Sequence, residues 1–226
     1  MDDTKETGRI EGFSDGVIAV AITLLVLSLQ PPAVLAKSDT DLLQKLLSLW
    51  PNYLAFVTSF ATIGVMWINH HRMFTYIRRT DSTLMALNLL LLLVIVFIPF
   101  PTALVAQYLE MPDFHTAAAI YNGTYVLLSI CFNLLFRYAA HENRLLGKEV
   151  DHDEMQVMLR QFRFGAVPYL FTFALTWVSV PASLVLNLLM ALFWALPVNR
   201  RPSLKWVSLP IGAATKRSGT TGEAEE

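Results

Sequence analysis

Charge and cysteine are both scarce in this chain of 226 residues, and each shortage removes function classes before any motif is read. Only 15% of the residues are Asp, Glu, Lys or Arg, whereas 54% are apolar, and the mean hydropathy is positive; an average soluble domain carries roughly a quarter charged residues. The net charge of -1 gives no general attraction to nucleic acid, so no nucleic-acid partner is expected. The single cysteine, Cys131, lies inside an apolar run, so neither an intrachain disulfide nor a thiolate metal site is available. Missing too are a Gly-Lys-Ser/Thr phosphate loop, a Gly-x-Ser-x-Gly elbow, a His-Glu-x-x-His pair and paired carboxylates within the apolar runs, which weighs against hydrolase and pump chemistry. No Thr-Val-Gly-Tyr-Gly segment occurs, which excludes a carbonyl-lined potassium filter. We expect no enzyme, no cofactor and no metal.

What is present is a series of long uncharged runs. A helix needs about 20 mostly apolar residues to cross roughly 30 Å of hydrocarbon, where unpaired backbone groups are not tolerated. Six segments meet or approach that length: 13–29, 49–69, 84–105, 116–138, 164–180 and 182–198. The expectation is an all-α polytopic membrane protein, with residues 1–198 forming the transmembrane domain and 199–226 a cytoplasmic tail. From Lys216 onward that tail is Ser, Thr, Gly and Glu without large apolar residues and should be disordered. The fifth and sixth segments are separated only by the Pro181 region and should form a tight hairpin. A cleavable leader is rejected although Val34-Leu35-Ala36 resembles a cleavage site: Asp2, Asp3, Glu6 and Glu11 outweigh Lys5 and Arg9, and the apolar run is long.

Orientation follows from the basic residues. Lys5, Arg9, Arg72, Arg78, Arg79, Arg137, Arg144, Lys148, Arg160, Arg163 and five in the tail fall on one side, 15 of the 17, and only Lys37 and Lys45 on the other. The positive-inside rule therefore puts both termini in the cytoplasm. Trp50 and Tyr53 at the start of the second run, Trp67 at its end, and Trp177 and Trp194 at opposite faces read as interfacial anchors. The outer loops hold Asp39, Asp41, Glu110 and Asp113, which read first as solvated loop charges.

The entry to the first run, Arg9-Ile10-Glu11-Gly12-Phe13-Ser14-Asp15, carries most of the information. An ionisable residue just inside a membrane helix is costly, so Asp15 is a site by default. A role in capping the helix start or in packing is preferred over direct contact with ions, since Ser14 and Asp15 can accept from free N–H groups at the positive dipole end. At 100° per residue, Val20, Thr23 and Leu27 lie within about 60° of one another, flanked by Gly16 and Leu24, while Asp15 projects about 140° from Val20. For such a stripe alone, lipid or helix packing is the first reading. At the depth of Asp15 lie Trp67, Asn69, His70 and His71 and, on the third run, Asn88. A buried carboxylate, imidazole and carboxamide there would satisfy one another. A metal site is disfavoured because adjacent helical histidines diverge by about 100°. Pro99-Phe100-Pro101-Thr102 must interrupt helix hydrogen bonding and predicts a kink or an early helix end.

Arg9-x-x-x-Phe13-Ser14-Asp15 resembles the motif of the prokaryotic relatives of the endolysosomal potassium channel called transmembrane protein 175. The run to Leu27 is similar to that family's first helix, and Trp67-x-x-His70-His71-x-x-Phe74, Asn88, Pro99-Phe-Pro-Thr102 and Arg137-Tyr138-Ala139 match further landmarks in order, from Arg9 to about Val198. The resemblance implies a homotetramer of six-helix subunits in the lipid bilayer of a prokaryotic cell membrane, in which four first helices surround a pore for potassium and other monovalent cations. It implies a constriction at Val20, a threonine layer at Thr23 and further apolar layers at Leu24 and Leu27, with Arg9, Ser14, Asp15, Trp67, His70, His71 and Asn88 forming a supporting polar network. Val20 departs from the larger Ile or Leu expected in relatives, and a smaller ring would leak more or select less sharply. A secondary transporter is the main rival reading, although only the third run offers a proline break where repeated interrupted helices would be usual. A non-transporting membrane scaffold is a further alternative.

Overall fold

With almost no charge to interrupt them, the apolar runs satisfy their backbone groups internally as helices. The computed structural model describes residues 7–31, 37–108, 114–147 and 152–195. Among these lie the α-helices α1 (Gly8–Leu24), α2 (Asp39–Ser48), α3 (Trp50–Tyr76), α4 (Ser82–Phe97), α5 (Pro99–Tyr108), α6 (His115–Ala140), α7 (His152–Leu175) and α8 (Val180–Ala195). No strand occurs among the described residues beyond an isolated antiparallel bridge between Ile77 and Leu146. The expected tail from residue 199 and the end of the sixth run lie outside the described residues.

Three helical stretches, Gly8–Ser28, Ser82–Tyr108 and His115–Asn143, are long and apolar enough to cross a membrane, and α2 with α3, bent by 49°, makes a fourth. The fifth and sixth runs fall on α7 and α8. α8 has only 16 residues, and α7 begins with several polar and charged turns.

Boundaries differ from the sequence reading in instructive ways. The first helix starts at Gly8, ahead of the apolar run. The Thr7 carbonyl accepts the Glu11 N–H at 3.0 Å, and the Thr7 hydroxyl donates to the Glu11 carboxylate at 2.6 Å. Past Leu24 it tightens into a 3-10 turn, Leu25–Ser28. The stretch before the second run, expected as an outer loop, contains α2, capped by Ser38 accepting the Asp41 N–H at 3.2 Å and braced by Lys45 on Asp41 at 2.8 Å. Arg72, Arg137, Arg160 and Arg163, counted as loop charges, sit on helices. Trp194 is no interfacial anchor: it is buried, stacked on Phe162 at 6.0 Å, because Gly165 lets α7 approach so closely that a Cβ there would meet Trp194 at 3.4 Å and Ser129 at 3.3 Å.

The predicted break in the third run is a kink at Ile98. Pro99 has no N–H to give the Ile95 carbonyl, which takes the Ile98 N–H instead at 3.2 Å, and α5 follows with Ile98 still in helical conformation. α6 is the hub of the bundle, packing on α7, α4 and α5. Beyond the C-terminal ends of α3 and α6 the two connecting loops interlock. Arg78 and Arg79 donate backbone N–H groups to the Leu145 carbonyl at 2.9 and 3.2 Å, and Gly147 donates to Tyr76 at 3.1 Å. Asp81 caps α4 through the Leu84 N–H at 2.7 Å and accepts from Tyr138 at 2.7 Å and Arg144 at 3.4 Å. Those donors, the Leu84 amide first and Tyr138 next, hold the Asp81 carboxyl below the ordinary carboxylate value.

Candidate functional site

Helix α1 has two faces of different character. Ser14, Ile18, Ala21, Leu25 and Ser28 are buried, at the four-three spacing that puts residues on one side of a helix. Gly12, Phe13, Gly16, Val20, Thr23, Leu24 and Leu27 are exposed on the surface of the chain, with Val20 at 56%, Leu24 at 39% and Leu27 at 68%. Ile22 turns partly inward and packs on the core. The 3-10 turn keeps Leu25 and Ser28, three residues apart, stacked on the buried side and leaves Leu27 outward. The Thr23 hydroxyl donates to the Val20 carbonyl at 2.8 Å, so its oxygen lone pairs remain available to an outside ligand. Beside this face runs an open groove of about 540 Å³ lined by Gly12, Phe13, Gly16, Val17, Val20 and, from α4, Val96.

At the inner end of α1 the sequence-predicted polar residues come together in two separate groups. Asn88 on α4 donates its amide to the Ser14 hydroxyl at 2.9 Å, and its carbonyl oxygen pairs with His70 Nε2 of α3 at 3.0 Å. Ser14 in turn donates to the Ile10 carbonyl at 2.8 Å. All three side chains are buried, so α1, α3 and α4 are joined by one relay in which the Asn88 carboxamide bonds at both its nitrogen and its oxygen. Asp15 does not enter it. The carboxylate is exposed and accepts from Trp67 Nε1 at 2.9 Å. The expected trio of carboxylate, imidazole and carboxamide is thus corrected to hydroxyl, carboxamide and imidazole, because Ser14 and not Asp15 lies on the buried stripe. Nor does either residue cap the helix, which starts a full turn and more before them.

The adjacent histidines diverge as helical geometry requires: His70 faces Asn88, while His71 is exposed and stacks on Trp67 with ring centroids 6.3 Å apart. Arg9 is exposed on the first turn and joins neither group.

Two buried polar clusters escaped the sequence reading. Ser59 on α3, Thr102 on α5 and Tyr121 and Tyr125 on α6 share hydroxyl bonds of 2.8 Å (Ser59 with Thr102), 3.1 Å (Ser59 with Tyr121) and 3.2 Å (Tyr125 with Tyr121). Between α6, α7 and α8, Asn122 donates to Thr176 at 2.6 Å and Ser183 at 3.1 Å and accepts from Asn187. The available signal was polar residues four apart within apolar runs, such as Tyr121 with Tyr125, Thr172 with Thr176 and Ser183 with Asn187.

These features define a class: an all-helical membrane protein whose N-terminal span is clamped to the bundle at one end and leaves one face of mixed apolar and small residues on the subunit surface. The family model described as "Endosomal/lysosomal potassium channel TMEM175" matches residues 9–99. A potassium channel of Chamaesiphon minutus is 47% identical over 197 residues, covering 87% of this chain and 97% of that protein. A potassium channel of Streptomyces collinus is 40% identical over 190 residues, covering 84% and 91%. The crystal structure of a lysosomal potassium-selective channel TMEM175 homolog from Chamaesiphon minutus superposes with a TM-score of 0.78 at 46% identity, covering 86% of this chain and 98% of that one. This chain belongs to the TMEM175 family, and its relatives are ion channels rather than enzymes.

Proposed function

We propose that the protein is a potassium-permeable cation channel in which a homotetramer arranges four copies of α1 around a central pore. One observation carries this reading. Of the three stretches long and apolar enough to cross a membrane, Gly8–Ser28 has only 22% of its apolar stretch buried in the subunit, against 50% for the other two. Its outward face holds Gly12, Gly16, Ala19 and Thr23 among the apolar residues, whereas the exposed side of α4 is Leu89, Leu93, Val96 and Phe97, the composition of a lipid-facing surface. A single subunit cannot enclose an aqueous path with one helix, so several copies must surround an axis, and the family resemblance supplies the number four.

In that assembly Val20, Leu24 and Leu27 form apolar rings that oppose ion passage by dewetting, and the width of the rings sets the barrier. Thr23 contributes four hydroxyl oxygens that replace part of a potassium ion's hydration. Selection rests on this helix and not on a carbonyl filter. In this reading the six apolar runs supply six crossings, the distribution of basic residues puts both termini in the cytoplasm, and the family resemblance supplies the prokaryotic cell membrane. The Ser14–Asn88–His70 relay and the Asp15–Trp67 pair, with His71 stacked on it, support the pore helix from behind. The names of the relatives, potassium channels, support potassium as the permeant ion.

Recording from purified protein in planar bilayers tests the reading. Discrete conductance steps, larger in potassium than in sodium, are expected. Coupled flux without steps would replace it with a transporter, and silence in protein of verified tetrameric mass would leave a scaffold.

A further inference from the structure

Helix α5 continues from α4 across a weakened joint, where Ile98 keeps helical dihedral angles. Pro99 and Pro101 remove two N–H donors there. A buried hydroxyl cluster ties α5 to α3 and α6 beside that joint, and hydrogen counting gives the cluster one sense. The Thr102 hydroxyl spends its only hydrogen on the Ile98 carbonyl at 2.8 Å. Ser59, 2.8 Å away, must then donate to Thr102; Tyr121 must donate to Ser59 at 3.1 Å; and Tyr125 donates to Tyr121 at 3.2 Å. Four hydroxyls from α3, α5 and α6 therefore point one way and end on the carbonyl of the broken turn. Ser59 and Thr102 are fully buried, and Tyr121 and Tyr125 nearly so, so each unmade bond would leave an orphaned group in a low-dielectric interior.

The same α5 is the main neighbour of the 3-10 turn Leu25–Ser28. Among the described residues that turn makes no polar bond to another helix: Ser28 donates to its own Leu25 carbonyl at 2.7 Å, and Leu25 is buried. The position of Leu24 and Leu27 therefore depends on where α5 stands.

We propose that the Ser59–Thr102–Tyr121 hydroxyl chain sets the width of the outer part of the pore by fixing α5 against the 3-10 end of α1, which makes Thr102 a positioning residue for permeation. This rests on the pore reading above and extends it to residues that no ion touches. Thr102→Val keeps the shape and removes the acceptor for Ser59, while the Ile98 carbonyl keeps the Thr102 backbone N–H at 3.1 Å.

The test is unitary conductance and the potassium to sodium permeability ratio in reconstituted protein of verified tetrameric mass. Thr102→Val changes conductance by about twofold or more, and Thr102→Ser restores the wild-type value. In a Leu27→Ala background, where the ring is already wide, the Thr102→Val effect shrinks to nothing, because the two changes act on one constriction. Wild-type conductance and selectivity in Thr102→Val, or the same fold-change with and without Leu27→Ala, overturns the proposal. If Thr102→Val does not assemble, Ser59→Ala, which leaves the Thr102–Ile98 bond in place, carries the same expectation with a smaller shift, and its silence is equally fatal. Should Val20→Ala and Leu27→Ala be silent as well, the pore reading itself has failed; if they are active while Thr102→Val and Ser59→Ala are silent, only the positioning role has.

Discussion

The two ends of α1 are held in different ways. At the inner end a side chain of α1 itself, Ser14, accepts from Asn88, which is bound to His70, so three helices meet through direct bonds. At the outer end the polar side chains of α1 turn back on its own backbone: Thr23 donates to Val20 and Ser28 to Leu25, and the helix leans on α5 through apolar contact. Interhelical hydrogen bonds in membrane proteins average about 0.6 kcal/mol and reach about 1.7. That is modest, but it is directional, and it fixes rotation and register. Apolar contact between helices in lipid has no such direction, so the outer end takes its position from whatever places its neighbour. The inner end is an anchor and the outer end is an adjustable part.

This contrast is broken most visibly at the pore face. Val20→Phe adds a large ring at a level the proposed assembly repeats four times, and current should fall by an order of magnitude or more while tetramer yield stays near normal; Leu27→Ala should raise current and weaken potassium preference. Ile22→Ala, on the partly buried side, should cost packing and leave permeation alone. If Ile22 governs conductance and Val20 and Leu27 do not, the faces have been exchanged.

The anchor comes next. Asn88→Ala removes two bonds at once and orphans the His70 ring and part of the Ser14 hydroxyl's environment, a loss of about 2–3 kcal/mol that should appear as reduced yield and a lower melting temperature in detergent, with unitary conductance preserved in what survives. A clean change of selectivity without loss of yield would turn the anchor into a pore element. A smaller effect is expected at Asp15→Asn. The exposed carboxylate has one partner, Trp67, and an amide oxygen still accepts from the indole, so the loss should be under about 1 kcal/mol by thermal denaturation. An Asp15→Asn effect larger than that of Asn88→Ala would show that the assembled protein buries Asp15.

The smallest effect belongs to the loop junction below the anchor. The Leu84 amide and the Tyr138 hydroxyl keep the Asp81 carboxyl below its ordinary value, so the folded state binds its proton less readily than the unfolded one. The stability this confers is present above the unfolded carboxylate value of about 3.9 and fades as pH drops through the lower folded value. A thermal-shift series in that acid range should show a wild-type decline that Asp81→Asn lacks. Matching curves would assign the acid loss to other carboxylates.

The sequence by itself determined the long apolar helices, though not α2, together with their order, the break before Pro99 and the amphipathic division of α1, because an apolar run has one way to satisfy its backbone in lipid and a proline has no N–H to give. It also brought Trp67, His70 and Asn88 to the depth of Ser14 and Asp15, since depth follows from counting along each run. Which of those groups bond was decided by tertiary structure alone. Ser14 and Asp15 are adjacent, their directions differ by about 100°, and only the rotation at which α1 meets α3 and α4 selects the serine for the buried relay and leaves the carboxylate to Trp67. The hydroxyl chain through Ser59, Thr102, Tyr121 and Tyr125 was hidden for the same reason. Its members are separated by 43 residues between Ser59 and Thr102 and 62 between Ser59 and Tyr121, and a Ser, Thr or Tyr in a membrane helix reads the same from the chain whether it bonds its own backbone or a neighbour. A hydrogen bond has a direction in space that one-dimensional spacing does not carry, so the fold had to bring those helices together before the partners were defined.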